Sequence, residues 1–93
     1  MTRIARRLVI HGRVQGVSYR WWSTEEARAL GLDGWVRNRR DGTVEMAVAG
    51  DEAAVTRMIE RCHEGPPAAR VERVEKIETD EIISGGFEQR PTA

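Results

Sequence analysis

The sequence has little of what marks several specialised classes of protein. It has one cysteine, Cys62, so an internal disulfide is impossible and we expect a reducing, cytoplasmic setting. Fifteen basic and fifteen acidic residues give a formal net charge of zero, which argues against a bulk nucleic-acid binder. No apolar run approaches membrane-spanning length, and we expect no signal peptide. The 93 residues suit one domain, 1–93, of ordinary globular composition.

Apolar periodicity and turn residues predict an alternation of strands and helices. The predicted elements are a strand at 6–12, a helix at 19–32, strands at 34–38 and 43–49, a helix from the N-cap Asp51 to Gly65, and a strand that carries Val71, Val74 and Ile77. The last of these strands needs a bulge or a twist, because its apolar residues are three apart. Asp41-Gly42 predicts a hairpin turn, and residues 85–93 predict a brief edge strand and a tail.

Two details of the predicted elements have alternatives. The capping-box pattern at 23–26 could begin the first helix there, but we favour a start at Tyr19 because Trp22 then packs with Tyr19. Trp21 and Trp22 point about 100° apart on a helix, so at most one joins the core. In the strand at 43–49, strict alternation predicts one buried face.

The element order is βαββαβ with a short fifth strand. This order predicts an α+β protein with the ferredoxin-like sandwich, in which two helices cover one face of an antiparallel sheet.

A loop with glycines joins the first strand to the first helix. Gly12 and Gly16 allow the backbone to curl and to turn successive N–H groups inward, next to a helix N-terminus. Arg20 follows in the first helical turn, and its planar guanidinium can hold two phosphate oxygens. These residues predict a phosphate site. The plain alternative is a tight strand-to-helix turn with a solvated surface arginine, and the pattern is neither a P-loop nor a dinucleotide fingerprint.

Two longer motifs resemble the signatures of the acylphosphatase family. "VIHGRVQGVSYR" (9–20) is similar to the family's first signature loop, and "GWVRNRRDGTVEMAVAG" (34–50) is similar to its second. Tyr19 stands where phenylalanine is usual, so its hydroxyl needs water or a partner. Ser18 occupies a position that the motif leaves open. Together the two motifs span residues 9–50, about half of the chain, and the rest fits the family's order more loosely.

The resemblance implies hydrolysis of acyl phosphates to a carboxylate and inorganic phosphate, without metal, cofactor or covalent intermediate. It implies that Arg20 binds the phosphate, that Asn38 positions the attacking water, and that the backbone amides of Gln15, Gly16, Val17, Ser18, Tyr19 and Arg20 complete the phosphate cradle. Positioning and charge stabilisation suit a loose phosphoryl-transfer transition state. The plain alternative for Asn38 is a residue that caps the hairpin turn.

Other residues and other functions have less support than this hypothesis. His11 and His63 are too few for a metal site, and Cys62 is more typical of a core residue than of a nucleophile. The expected partner is a small-molecule acyl phosphate, with no nucleic acid and no membrane, and the expected form is a monomer. A phosphate-binding module with little turnover is one alternative. An RNA-binding ferredoxin-like domain is another, but the strands at 8–12 and 43–49 lack aromatic residues.

Overall fold

The computed structural model describes residues 2–93 and contains, over this range, two helices and one five-stranded sheet. Along the chain the elements are β1 (Arg3–Arg13), α1 (Tyr19–Ala29), β2 (Asp33–Asn38), β3 (Val44–Asp51), α2 (Glu52–Glu64), β4 (Arg70–Glu78) and β5 (Phe87–Gln89). This order confirms the predicted ferredoxin-like α+β fold. The strands β1 and β3 are longer than predicted, and α1 ends earlier, because Gly31 leaves the helix with φ +70°.

The sheet order is β4-β1-β3-β2-β5, and the prediction of a purely antiparallel sheet is wrong at one edge. The strands β1 to β4 pair antiparallel, whereas β5 runs parallel to β2. The reason is topological. The chain leaves β4 at one edge, and residues 79–86, the crossing segment, carry it to the opposite edge. A strand that begins there at the same end of the sheet must run back in the direction of β2.

The face of the sheet covered by the helices carries the main core. Its largest fully buried side chains include Leu8, Ile10, Val36, Val44, Met46, Val48, Val55 and Met58. The helix α1 begins at Tyr19, as favoured from the sequence, and the Tyr19 and Trp22 rings meet edge to face with centroids 5.3 Å apart. Both helices pack on this one face, as predicted.

The prediction that β3 buries only one face is wrong, because both faces of this central strand are buried. On the face away from the helices, Ile83 of the crossing segment packs with Trp35, Ala47 and Ala49. Glu45 is buried there too and pairs with the arginines at 7 and 37. The crossing segment therefore converts a half-exposed strand into a fully covered one.

The irregularity predicted for the fourth strand is a bulge between β1 and β4. His11 pairs with Arg73 and Gly12 pairs with Val71, so Glu72 is the extra residue. Gly12 has φ +125°, and a Cβ placed on it would lie 2.2 Å from the carbonyl oxygen of Arg70. Gly12 therefore serves the close approach of two strands. The prediction that Gly12 lies in the first strand is confirmed, but β1 continues to Arg13, so Gly12 does not form part of the curled loop.

Over residues 2–93, no helix is both long and apolar enough to cross a membrane.

Candidate active site

A surface cavity of about 360 Å³ lies where the β1–α1 loop, the end of β2 and the strand β5 meet. The residues that line it are Val14, Gly16, Ser18, Tyr19, Arg20, Trp21, Asn38 and Gln89. Five of these were singled out from the sequence, namely Gly16, Ser18, Tyr19, Arg20 and Asn38. Two residues predicted to contribute amides, Gln15 and Val17, are not among the lining residues, and Val17 is buried in the core.

The loop bends through left-handed backbone at Gly16 (φ +74°) and at Ser18 (φ +64°). Within residues 2–93, Ser18 is the one non-glycine residue with positive φ. Backbone of this kind makes concave surfaces of N–H groups. The first helical hydrogen bond of α1 runs from the Trp22 N–H to the Ser18 carbonyl at 2.9 Å, so the preceding amides have no partner within the helix. A helix N-terminus of this form suits an anion.

The side chain of Gln15 ties this loop to the β2–β3 hairpin. Its Nε2 donates to the carbonyl oxygens of Arg39 at 2.7 Å and of Thr43 at 2.9 Å. Sequence reasoning gave Gln15 only a backbone role, so this contact was missed. The turn of this hairpin begins directly after Asn38. The two hydrogen bonds therefore hold the loop before Arg20 and the end of β2 at a fixed separation.

Arg20 is half-buried at the first turn of α1, and its guanidinium makes no ion pair or hydrogen bond with any residue between 2 and 93. Its carbonyl oxygen accepts hydrogen bonds from the hydroxyls of Thr24 (2.7 Å) and Ser23 (3.1 Å). These bonds fix the backbone of the first turn while the guanidinium stays available. Arg20 also lines the cavity.

Asn38 is the last residue of β2, and two backbone hydrogen bonds join residues 38–40 to Ala93. The Ala93 N–H donates to the Asn38 carbonyl at 3.0 Å, and the Arg40 N–H donates to the Ala93 carbonyl at 2.9 Å. The Asn38 side chain has no hydrogen-bond partner among residues 2–93. The turn is capped instead by Asp41, whose Oδ1 accepts from the Thr43 N–H and hydroxyl. The side chain of Asn38 therefore does not cap the turn, and it lines the cavity.

Tyr19 stands where the family usually has phenylalanine, and its hydroxyl has a hydrogen-bond partner. The hydroxyl donates to the Cys62 carbonyl at 2.7 Å inside the core. Burial raises the pKa of Tyr19 far above its ordinary value, so the group stays protonated as a donor. Burial likewise raises the pKa of the Cys62 thiol to about 12, which leaves it a core residue and not a nucleophile at neutral pH.

The two histidines lie apart from the cavity. His11 hydrogen-bonds Glu75 on β4, and this bond holds the pKa of the Glu75 carboxyl below its usual range. His63 is exposed on α2. Among residues 2–93 there is no group of three or more His, Cys, Asp or Glu side chains arranged to hold a metal ion.

Three lining residues were not foreseen: Val14, Trp21 and Gln89. Gln89 belongs to β5 and reaches the cavity only because β5 pairs with β2, where its partner is Val36. Nothing in the local sequence around residue 89 signals this neighbourhood. For Trp21, the sequence predicted only that at most one of the two adjacent tryptophans joins the core.

The sheet order and the cavity at the strand ends define a small ferredoxin-like α+β protein with an arginine and an asparagine at one surface site. A family model described as acylphosphatase matches residues 6–89. The chain therefore belongs to the acylphosphatase family, enzymes that hydrolyse acyl phosphates, which are small-molecule acid anhydrides.

Individual relatives agree with this assignment. The chain is 60% identical over 89 residues to an acylphosphatase from Acidovorax sp. (strain JS42), an alignment that covers 96% of this chain and 92% of the relative. Its fold is similar to a solved acylphosphatase from Coxiella burnetii, with TM-score 0.91, 32% identity and coverage of 95% and 93%. It is also similar to the crystal structure of acylphosphatase from Bacillus subtilis, with TM-score 0.87, 34% identity and coverage of 94% and 98%.

Proposed function

We propose that the cavity beside α1 is where this acylphosphatase performs its reaction, with Arg20 and Asn38 as the catalytic residues. The observation that carries the proposal is that both side chains line one cavity and neither has a hydrogen-bond partner among residues 2–93. An arginine and an asparagine held on fixed backbone without protein partners are poised to bind a ligand.

The phosphoryl group binds in the loop, against the backbone amides of residues 15–20 and the guanidinium of Arg20. In a loose phosphoryl-transfer transition state, negative charge is spread over the phosphoryl oxygens. Amides and a guanidinium that are already in place stabilise this charge without having to reorganise. The left-handed backbone of Gly16 and Ser18 supports this arrangement, because it shapes the loop before any ligand arrives.

Water is positioned by Asn38. The side-chain carbonyl accepts a hydrogen bond from the water, and the amide donates one to the phosphoryl group. The water oxygen attacks phosphorus, the bond between phosphorus and the acyl oxygen breaks, and the carboxylate leaves with the bonding pair. Asn38 is too weak a base to take the proton, so an oxygen of the substrate phosphate receives it, and the products are a carboxylate and inorganic phosphate.

Hydrolysis of benzoyl phosphate, followed by its loss of absorbance with excess chelator, tests the roles of the two residues. We expect turnover by the wild type to be indifferent to chelator. Arg20→Ala should lose on the order of a hundredfold or more in kcat and should no longer be inhibited by inorganic phosphate. Asn38→Ala should lose turnover but keep phosphate inhibition. Arg13→Ala, an exposed arginine outside the cavity, is the matched control and should behave as the wild type.

Three outcomes contradict the proposal. Equal loss of turnover and phosphate inhibition in a folded Asn38→Ala removes the water-positioning role. Full turnover by Arg20→Ala removes the assigned phosphate site. A folded wild type that binds phosphate without hydrolysis would favour the binding module instead.

We also propose that residues 1–93 act as one domain and as a monomer in the cytoplasm. The single thiol, Cys62, is free and buried, which suits a reducing compartment. Sedimentation of the purified protein tests the monomer, and a stable dimer would contradict it.

A further inference from the structure

Trp21 is the exposed member of a tandem pair of tryptophans. Its neighbour Trp22 packs against Tyr19, whereas Trp21 is 61% exposed. The buried side of α1 is formed by Tyr19 and the residues at 23, 24 and 27, so Trp21 contributes little to the core. Single exposed hydrophobic residues are common and need no explanation by themselves. The position of this one does call for an explanation.

Trp21 lines the same cavity as Arg20 and Asn38. The two other large apolar residues of the lining, Val14 and Tyr19, are each only 1% exposed and belong to the core. Trp21 therefore supplies the accessible apolar surface of this cavity, at least among the residues described. The remaining lining is glycine backbone and polar side chains.

An acyl phosphate has two chemically different ends, and the cavity offers a match for each. The charged phosphoryl end suits the loop amides and Arg20. The attacking and leaving oxygens lie roughly in line across phosphorus, so the acyl group extends away from the water and out of the loop. Because Trp21 lines the same cavity as Arg20, its indole is the apolar surface available to an acyl group that leaves the loop.

We propose that the Trp21 indole is the acyl-contacting surface of the site, and that it favours substrates with an aromatic or other flat apolar acyl group over acetyl phosphate. The proposal rests on the assignment of this cavity as the active site. Trp21 stands on a rigid element, because the carbonyl of Arg20 accepts two hydroxyl hydrogen bonds from the next turn of α1. An indole has only two side-chain torsions, so on this helix it offers a stacking surface at little cost in side-chain order.

The test compares kcat/KM for benzoyl phosphate and for acetyl phosphate in the wild type, Trp21→Ala and Trp21→Phe. Variants are compared because benzoate is also the better leaving group, so the wild-type preference alone decides nothing. Trp21→Ala should lose roughly three- to tenfold on benzoyl phosphate, the scale of one aromatic pair, and clearly less on acetyl phosphate. Trp21→Phe should recover most of the loss. Ile82→Ala, which removes a 95% exposed side chain outside the cavity, is the control and should change neither value.

An equal loss on both substrates, or no loss on benzoyl phosphate, overturns the role of Trp21. Inhibition by inorganic phosphate should be the same in Trp21→Ala as in the wild type, since phosphate has no acyl group to contact the ring. The assignment of the cavity is tested separately by Arg20→Ala. If that variant keeps full activity on both substrates, the active-site assignment fails whatever Trp21→Ala shows.

Discussion

Gly12 and Gly16 lie four residues apart in one motif, yet the molecule uses them for opposite reasons. Gly12 lies inside the sheet, where a Cβ would come within 2.2 Å of the Arg70 carbonyl oxygen and 2.8 Å of the Glu72 nitrogen. Gly16 lies in the loop, where a Cβ would meet nothing within 4 Å. At position 12, glycine is required because two strands pack too closely for a side chain. At position 16, glycine is required because the backbone beside the cavity has a positive φ. The strand half of the motif therefore supports the fold, and the loop half shapes the site.

The largest effect is expected for Gly12→Ala. The added methyl group collides with backbone that cannot move without opening the β1–β4 pairing, and φ +125° is unfavourable for alanine. We expect a loss of about 3 kcal/mol or more in the free energy of unfolding, measured by urea denaturation. Gly42→Ala in the hairpin turn is the control. Alanine is strained at the positive φ of this position too, but its methyl group would meet no neighbouring atom. If both variants lose the same amount, steric contact with β4 is not the reason for Gly12.

An intermediate effect is expected for Gly16→Ala. Only the backbone strain of alanine at φ +74° opposes folding, so the loss of stability should be about 1–2 kcal/mol. The loop amides should shift as the backbone relaxes, so inhibition by inorganic phosphate should weaken in the folded protein. Titration of benzoyl phosphate hydrolysis with phosphate measures this. Unchanged inhibition would mean that the loop conformation does not serve the phosphate.

The smallest effect is expected for Ser18→Gly. Ser18 is strained at φ +64°, and its side chain makes no capping hydrogen bond. Glycine removes the strain but is more flexible in the unfolded chain, so the net gain in stability should be between about 0 and 1 kcal/mol. Ser18→Ala keeps the strain and should match the wild type. A thermal melt in which Ser18→Gly is the less stable of the two variants would show that serine is not strained there.

Most of the fold could be predicted from the sequence, because its elements depend on local patterns. Apolar periodicity gave both helices and the first four strands, and the spacing of Val71 and Val74 indicated the bulge. The direction of β5 and the second buried face of β3 could not be predicted. Both depend on where the crossing segment passes over the sheet. No local sequence pattern indicates that path.

The candidate site could be predicted only in part, because only some of its residues belong to local sequence motifs. Arg20 and Asn38 were found by motif, and the structure places both at one cavity, although their roles stay predictions. The hydrogen bonds from Gln15 to the hairpin and the position of Gln89 at the cavity were not predicted. Each brings together segments that are far apart in the chain. The position of Gly12 in the first strand was predicted, but its close approach to Arg70 was not, because that contact also joins segments far apart in the chain.

The pairing of β5 with β2 also has a consequence for biosynthesis. The cavity takes its lining from residues as far apart as Val14 and Gln89, and Asn38 is held through its backbone by Ala93. A ribosome releases the N-terminal segments first. A nascent chain can therefore expose the loop and Arg20 early, but it cannot complete the cavity until residues 87–93 have left the exit tunnel. Hydrolytic activity should thus be absent from every stalled intermediate that still holds these residues inside the ribosome.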